Sequence, residues 1–509
     1  MSVATHVRAI YARRAPPLVR PTCEHSGFTG PGSGYGLSKM TILALDLGTS
    51  SVRGLVLDEA AFPLPSALAR RPVVLTLGAD GAGTLDGPAY LAALVDCLDE
   101  LAGAGHLNGV DLVVTSAQWH SVVPLDPRGE PLGPVLTWLD TRAVPPAGSP
   151  GPADPDAFHR RTGAWWHRFY WSVRLPWLRE RLGGGPVRFG GLIEYVFGRL
   201  LDESVMSISQ ASGTGMLDLR ELRWDAEACE LARVREGELP ELAPEDWWGR
   251  LRAAYRRRWP ALAAARWSLP LGDGAASNVG SGCFDSRRVA VTVGTSAAVR
   301  LVQPAPAGTE LPPLPNGLWR YRVDHERVVT GTAYSGGGSL YAWARRVLRL
   351  PEGPELDRAL AELTPGEGIV ADPRLGGDRP PGLAPAGSGM LAGLSFGTTA
   401  VEILAGLMDA LCVQVAESVT EIESIIDQPV EVVLGGGAVA ASPWWRQAFV
   451  AALAPRVLYH VRYPEIGAVG AALVAIGRID GATGLERIVR MDEHDAATAT
   501  RSRHRQYPS

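Results

Sequence analysis

Two apolar runs, ILALDL at 42–47 and VAVTV at 289–293, each break at a Gly-Thr-Ser turn and resume as a second strand-like run. Residues 44–51 read ALDLGTSS and residues 290–297 read AVTVGTSA, so the chain carries an echo of one strand-turn-strand unit. The two turn glycines, Gly48 and Gly294, stand about one domain length apart. Apolar runs predict strands at 42–47, 52–57, 111–115, 289–293 and 430–434. Apolar spacing of three and four predicts helices over 89–103, 338–349 and 400–425, the last with Leu404, Leu407, Met408, Leu411 and Val415 along one face. Pro- and Gly-rich loops fall at 144–155, 303–317 and 376–389. The pattern predicts an α/β protein of two related domains. The basic run RLRAAYRRRWP at 250–260 reads as a solvated helix face.

With 509 residues and 46% hydrophobic content, the chain can bury two cores. A formal net charge of -5 gives no general attraction to nucleic acid or an anionic membrane, and no run of 18 apolar residues predicts a spanning helix. The expected partner is a small molecule, with no nucleic acid and no membrane; a homodimer is compatible with the sequence. The five cysteines are scattered without a CxxC pair, which points to a reducing, cytoplasmic setting. Lys39 is the only lysine and precedes the first strand. This excludes a P-loop lysine, a protein-kinase strand lysine and a Schiff-base lysine, so phosphate charge must meet arginine, backbone N–H groups, hydroxyls or metal. Residues 1–40 hold several arginines but no apolar core of a secretory signal, and read as a disordered, dispensable extension or an early start before Met40.

In LALDLGTSSVRG a strand delivers Asp46 to its end and turns tightly through Gly48, Thr49 and Ser50, directing N–H groups and hydroxyls at one spot. Arg53 can add a charge-assisted phosphate contact, and Asp46 can hold Mg²⁺. The second copy has Thr292 at the aspartate position, an asymmetry that fits one nucleotide and one metal between two domains. In VVLGGGAVAAS, Gly435, Gly437 and Ala440 match GxGxxA, so a dinucleotide-dependent dehydrogenase is one competing reading. The next strand, however, ends in Arg462 and Tyr463 rather than a ribose-binding acid, which favours close backbone approach to an adenosine. LPLGDGAASNVGSG places Asp273 at the start of a small-residue helix, where its ionised form is stabilised and can accept a hydroxyl proton.

The order GTSSVRG, SAQWHSVVPLD, TWLDTRA, GDGAASNVGSG, VTVGTS and LGGGAVA, over residues 41–485, resembles the FGGY carbohydrate kinases of the actin, hexokinase and Hsp70 superfamily. The resemblance implies two actin/hexokinase-like (RNase H-like) domains, 41–284 and 285–485, facing a central nucleotide and sugar cleft, with a flexible tail over 486–509. It implies ATP and Mg²⁺, bound through Gly48, Thr49, Ser50 and Arg53, through Gly294, Thr295 and Ser296, and through Gly338, Gly435, Gly436, Gly437 and Ala441. Asp273 matches the catalytic base and, with Asp46, a metal contact. Gln118, Trp119, His120, Trp138, Asp140, Arg142, Asp273 and Gly274 fall in segments that contact the sugar.

TWLDTRA, ISQASGTGMLDLRELRWD and VAVTVGTSAAVR are most similar to gluconate kinases, which implies phosphorylation of D-gluconate to 6-phospho-D-gluconate. Xylulose or another ketose or polyol is the alternative substrate, and a non-catalytic nucleotide-binding protein of the actin superfamily is the alternative class. Two segments depart from the family wording: the tryptophan-rich RTGAWWHRFYWSVRLPWLRE at 161–180 and LGGDRPPGLAPAGSG near 376–389. For a substrate carboxylate, His120, Arg142, His167 and Arg168 are the candidate partners, and Trp119, Trp138, Trp165 and Trp166 the candidate apolar walls.

Overall fold

Both Gly-Thr-Ser units form antiparallel hairpins in the computed structural model, which describes residues 40–491 apart from 146, 150, 184, 186, 236, 316, 380–386 and 388. The first hairpin is β1 (Thr41–Leu47) with β2 (Ser51–Leu57), extended by β3 (Pro63–Pro72) on one side. On the other side β1 pairs in parallel with β4 (Val110–Ala117), which pairs in turn with β5 (Arg266–Trp267) and β6 (Leu271–Gly272). β1 is central and its apolar run is nearly continuous, as a strand buried on both faces requires. Three helices of this N-lobe matter for the site: α1 (Gly87–Gly103), α2 (Trp171–Arg181) and α3 (Asp273–Gly280). The Asp86 side chain caps α1 by accepting from the Ala89 N–H at 2.8 Å.

The C-lobe repeats this order. Strands β7 (Arg288–Val293) and β8 (Ala297–Pro304) make the second hairpin, followed by β9 (Trp319–Arg322), β10 (Arg327–Tyr334), β11 (Glu431–Gly435), β12 (Leu458–Val461) and β13 (Ile488–Arg490). Across the sheet they run β9-β10-β8-β7-β11-β12-β13. In both lobes, therefore, the first strand lies between its antiparallel hairpin partner and a parallel strand from later in the chain. The C-lobe helices that bear on the site and its core are α4 (Gly338–Val347), α5 (Ala400–Ile426), α6 (Gly437–Ala441) and α7 (Ile466–Ala475).

By length and composition α5 could cross a membrane, yet half of its most apolar window is buried within the fold. Leu404, Met408, Leu411, Val415 and Val419 on it pack into the C-lobe core, which identifies it as a core helix. A reciprocal cap starts it: Thr399 Oγ1 accepts from the Glu402 N–H, while Glu402 Oε2 accepts from the Thr399 N–H.

The lobes meet where α3 crosses α7. A Cβ on Gly280 would lie 1.8 Å from the Ile466 carbonyl oxygen, and one on Gly470 would lie 1.8 Å from that of Ala276, so the crossing demands bare backbone on both sides. α7 also packs on β1 and β4, joining the C-terminal segment to the N-lobe sheet. The extension expected over residues 1–40 lies outside the described residues, Met40 excepted. The tail expected from 486 needs correction at its start: Ile488 is buried and β13 pairs antiparallel with β12, so sheet pairing continues to Arg490. The rest of that tail, from 492 onward, lies outside the described residues.

Candidate active site

Asp273 opens α3 directly after β6, so the parallel strand delivers it to the cleft edge of the N-lobe. Its Oδ1 accepts from the Gly274 N–H at 2.8 Å. Burial pushes the carboxyl up to about 6; the Arg300 guanidinium and the Gly274 N–H oppose the shift, Asp46 adds to it, and the Trp119 N–H opposes it. A carboxylate with such a raised affinity for protons suits a general base near neutral pH.

Trp119 forms the surface beside this carboxylate. A Cβ on Gly272 would lie 1.8 Å from its indole, and one on Gly274 2.5 Å, so the two glycines flanking Asp273 make room for the ring. The Trp119 Nε1–H donates to the Ser209 carbonyl at 2.9 Å, which fixes the ring plane. Opposite, Tyr321 stacks on Trp319 with ring centroids 4.5 Å apart, and Trp119 meets Tyr321 edge-on at 5.1 Å. Such flat apolar faces pack against sugar C–H groups.

A cavity of about 360 Å³ lies between these walls. The N-lobe lines it with Asp273, Gly274, Trp119, His120 and Trp138, all singled out in the sequence, and with Phe169. The C-lobe adds Ser296 of the second turn, Ala298, Arg300, Trp319 and Tyr321. Gln118 is buried and does not line the cavity. Asp140 does line it, but its carboxylate is occupied by the Gly83 N–H and by Arg142, whose Nη2 approaches to 2.6 Å. Arg142 therefore closes an ion pair and is absent from the cavity wall. Trp165 stacks on His159 at 3.8 Å instead of facing the cavity, and Trp166 packs against Gly151.

His120 holds a left-handed backbone (φ 67°), unusual for a side-chain-bearing residue and common at binding sites. Its Nδ1 is 2.5 Å from the Gly213 carbonyl. A carbonyl only accepts, so Nδ1 carries the proton and Nε2 is an acceptor. Burial pushes His120 down to about 3 and His167 down to about 4, so both imidazoles are neutral. Arg174 on α2, not anticipated from sequence, ties the surrounding loops together: its guanidinium donates to the carbonyls of His120 at 2.7 Å, Asp140 at 2.9 Å and Arg168 at 3.1 Å.

Asp46 sits directly opposite Arg53 in the β1–β2 register, and their side chains approach to 3.7 Å. Burial raises the Asp46 pKa against the pull of Arg53 and the Ser116 hydroxyl. The charge of Asp46 reaches Asp273, and both carboxylates act on the Tyr90 hydroxyl, which places the two at one site. Tyr90 on α1 pins the first turn through that hydroxyl, which donates to the Gly48 carbonyl at 2.9 Å. Glu465, also missed in the sequence, comes within electrostatic reach of Asp46 and Arg53 just before α7. The turn residues Thr49 and Ser50 stay accessible.

In the C-lobe, the Gly338 N–H donates to the Gly294 carbonyl at 2.7 Å and the Ser339 N–H to that of Thr295 at 3.0 Å. Gly338 thus braces the second turn, its own N–H already used. A Cβ on Gly337 would crowd Ser296, and one on Gly436 (φ 100°) would lie 2.3 Å from the Val293 carbonyl, so the Gly435–Gly437 turn also packs bare backbone against the end of β7. Ala441 is exposed at the end of α6. Two Gly-Thr-Ser turns, the carboxylates of Asp46 and Asp273, and this cradle of bare backbone fit a nucleotide polyphosphate with a divalent cation.

Residues 41–280 match the FGGY family of carbohydrate kinases, N-terminal domain, and residues 289–477 match the C-terminal domain of the same family. The chain belongs to the FGGY family of carbohydrate kinases. Such kinases use ATP as phosphoryl donor, and family membership sets the dehydrogenase reading of the Gly435 turn aside. The chain is 26% identical over 396 residues to a gluconokinase of Bacillus subtilis (strain 168), covering 73% of this chain and 75% of that one. A glycerol kinase of Geobacter sp. (strain M21) is 25% identical over 401 residues, covering 75% and 79%. Among solved structures, a gluconate kinase from Lactobacillus acidophilus superposes with a TM-score of 0.75 at 21% identity, covering 91% of this chain and 96% of that one. A xylulose kinase from Lactobacillus acidophilus superposes at 0.77 with 21% identity and the same coverage. These likenesses show the fold: two actin/hexokinase-like (RNase H-like) domains about a central cleft.

Proposed function

We propose that this FGGY kinase transfers the γ-phosphoryl group of ATP to the terminal hydroxyl of D-gluconate, giving 6-phospho-D-gluconate. The observation that carries the chemistry is Asp273, a half-buried carboxylate poised near neutral pH in the wall of a sugar-sized cavity shared by both lobes. Asp273 accepts the proton of the attacking hydroxyl, and Trp119, Trp319 and Tyr321 orient the carbon chain. The turns at Gly48–Ser50 and Gly294–Ser296 hold the polyphosphate, with Arg53 adding positive charge. Asp46 and Asp273 would hold Mg²⁺, which neutralises charge on the transferring phosphoryl oxygens. Lobe closure about the α3–α7 crossing excludes water from the reacting groups.

Gluconokinases among the relatives and the gluconate-like runs support the acid as substrate. A neutral ketose is the second reading, favoured by the xylulose kinases among the solved structures. The proposal places the enzyme in the cytoplasm, where ATP is made and where free cysteines such as Cys97 and Cys412 stay reduced. Phosphorus NMR of the product tests the reaction: one equivalent of ADP and a phosphomonoester on the terminal carbon of gluconate are expected, and ADP release without a sugar ester would overturn it.

The Asp46→Asn variant should weaken Mg²⁺-dependent ATP binding by about 10- to 100-fold, the scale of losing one group from a metal site. Calorimetry with and without Mg²⁺ reads this directly. Equal affinities in wild type and variant would remove Asp46 from the metal site.

A further inference from the structure

We propose that Arg300 receives the carboxylate of the sugar-acid substrate and so selects acids over neutral polyols. This rests on the sugar-acid reading above and names the residue that would enforce it. Among the described residues, every other cationic candidate beside the cavity is already engaged, exposed or uncharged. His120 and His167 are neutral, Arg142 is paired with Asp140, and Arg174 is spent on three carbonyls. Arg168 is exposed, with one long contact of 3.5 Å to the Thr141 carbonyl, and a carboxylate held there would be screened by water.

Arg300 differs in kind. It lies on β8, where alternation turns Ala298 and Arg300 toward the cavity while Val299 and Leu301 enter the core. In the sheet register Arg300 pairs with Gly331 of β10, and Gly331 pairs with Trp319 of β9. One row thus reads cation, bare glycine, indole. A Cβ on Gly331 would lie 3.1 Å from Arg300 Cγ, and one on Gly274 would lie 3.1 Å from Arg300 Nε, so glycines of both lobes leave room for this side chain. Its Nε and Nη1 are buried and, among the described residues, have no hydrogen-bond partner.

Two buried donors without a partner on a guanidinium carry a large desolvation cost unless a ligand meets them. Nε and Nη1 lie on different edges of the planar guanidinium and each shares its edge with Nη2, so the two oxygens of a carboxylate can take one of them together with Nη2. An open-chain acid bends about its carbon–carbon bonds, so its carboxylate can rest on Arg300 while its terminal hydroxyl reaches Asp273.

The test compares kcat/KM for D-gluconate with that for D-glucitol, its neutral counterpart, in wild type and Arg300→Gln. Both substrates share the same base, so any loss that acts through Asp273 cancels in the ratio. The gluconate-to-glucitol ratio should fall by about 10²- to 10³-fold, the scale of truncating one side of a buried charge pair. In Arg300→Ala, added methylguanidine should restore turnover of gluconate and leave that of glucitol unchanged. An unchanged ratio in Arg300→Gln, with wild type active on gluconate, overturns the role of Arg300 alone. Wild type that phosphorylates glucitol or xylulose but no sugar acid overturns the substrate reading and this inference together. Should Arg300→Gln lose its fold by circular dichroism, Arg300→Lys carries the same comparison, since it keeps the charge but loses the planar fork and should still lower the ratio.

Discussion

Asp273→Asn is expected to lower kcat by about 10²-fold or more, the usual contribution of a positioned base. The side chain keeps its size and can still accept from the Gly274 N–H, so the start of α3 and its packing on Trp119 persist. Stability should not fall. The wild-type carboxyl titrates near 6 in the folded chain against an ordinary 3.8, because burial disfavours its charge. A pKa raised by folding contributes stability that is full below the ordinary value and is lost as pH rises through the folded one. Asparagine has no such loss, so the variant's Tm at pH 8 should equal or exceed that of wild type. Wild-type kcat/KM should also decline as pH is lowered through about 6, where the base gains its proton. Near-normal turnover of Asp273→Asn would remove this residue from the mechanism.

Gly280→Ala is expected to destabilise the protein by about 3 kcal/mol, at the upper end of overpacking costs. The added methyl would lie 1.8 Å from the Ile466 carbonyl oxygen, and backbone on both sides of the contact leaves no flexible side chain to yield. α3 and α7 must then separate. Because Asp273 begins α3 and Glu465 directly precedes α7, the separation also displaces the cleft, and activity should drop with stability. Gly103→Ala is the control: this last residue of α1 has open space where a methyl would project, and the change should be neutral or stabilising. Urea unfolding of the two variants measures the difference; equal midpoints would show that the α3–α7 crossing tolerates bulk.

The strands of both hairpins and the helices α1, α4 and α5 were legible because each carries a plain apolar period within one stretch of chain. The predicted strand at 289–293 and helix at 400–425 differ from the observed elements by one residue at an end. The helix at Trp171–Arg181 was not legible. It contains Pro176 and buries eight successive residues from Trp171 to Leu178, so no polar face marks a helical period. The site was read at the same level. Asp273, Trp119, His120 and Trp138 reach the cavity, since each sits in a run with its own turn or helix signal.

Arg300 was hidden for a physical reason: the strand AAVRLV announces a cation on one face, but its importance depends on Gly331, about thirty residues later and one strand away. Asp140 and Arg142, conversely, carry reactive side chains that folding spends on each other. Sequence alone names the groups present, whereas pairing in space decides which remain available to a ligand.

The proposed reaction requires that the shared cavity admit a sugar acid and present its terminal hydroxyl to Asp273. Steady-state kcat/KM for ADP release across D-gluconate, xylulose, ribulose, fuculose and glycerol tests it most directly. D-gluconate should give the highest value; a higher value for xylulose or another neutral sugar or polyol would overturn the sugar-acid assignment.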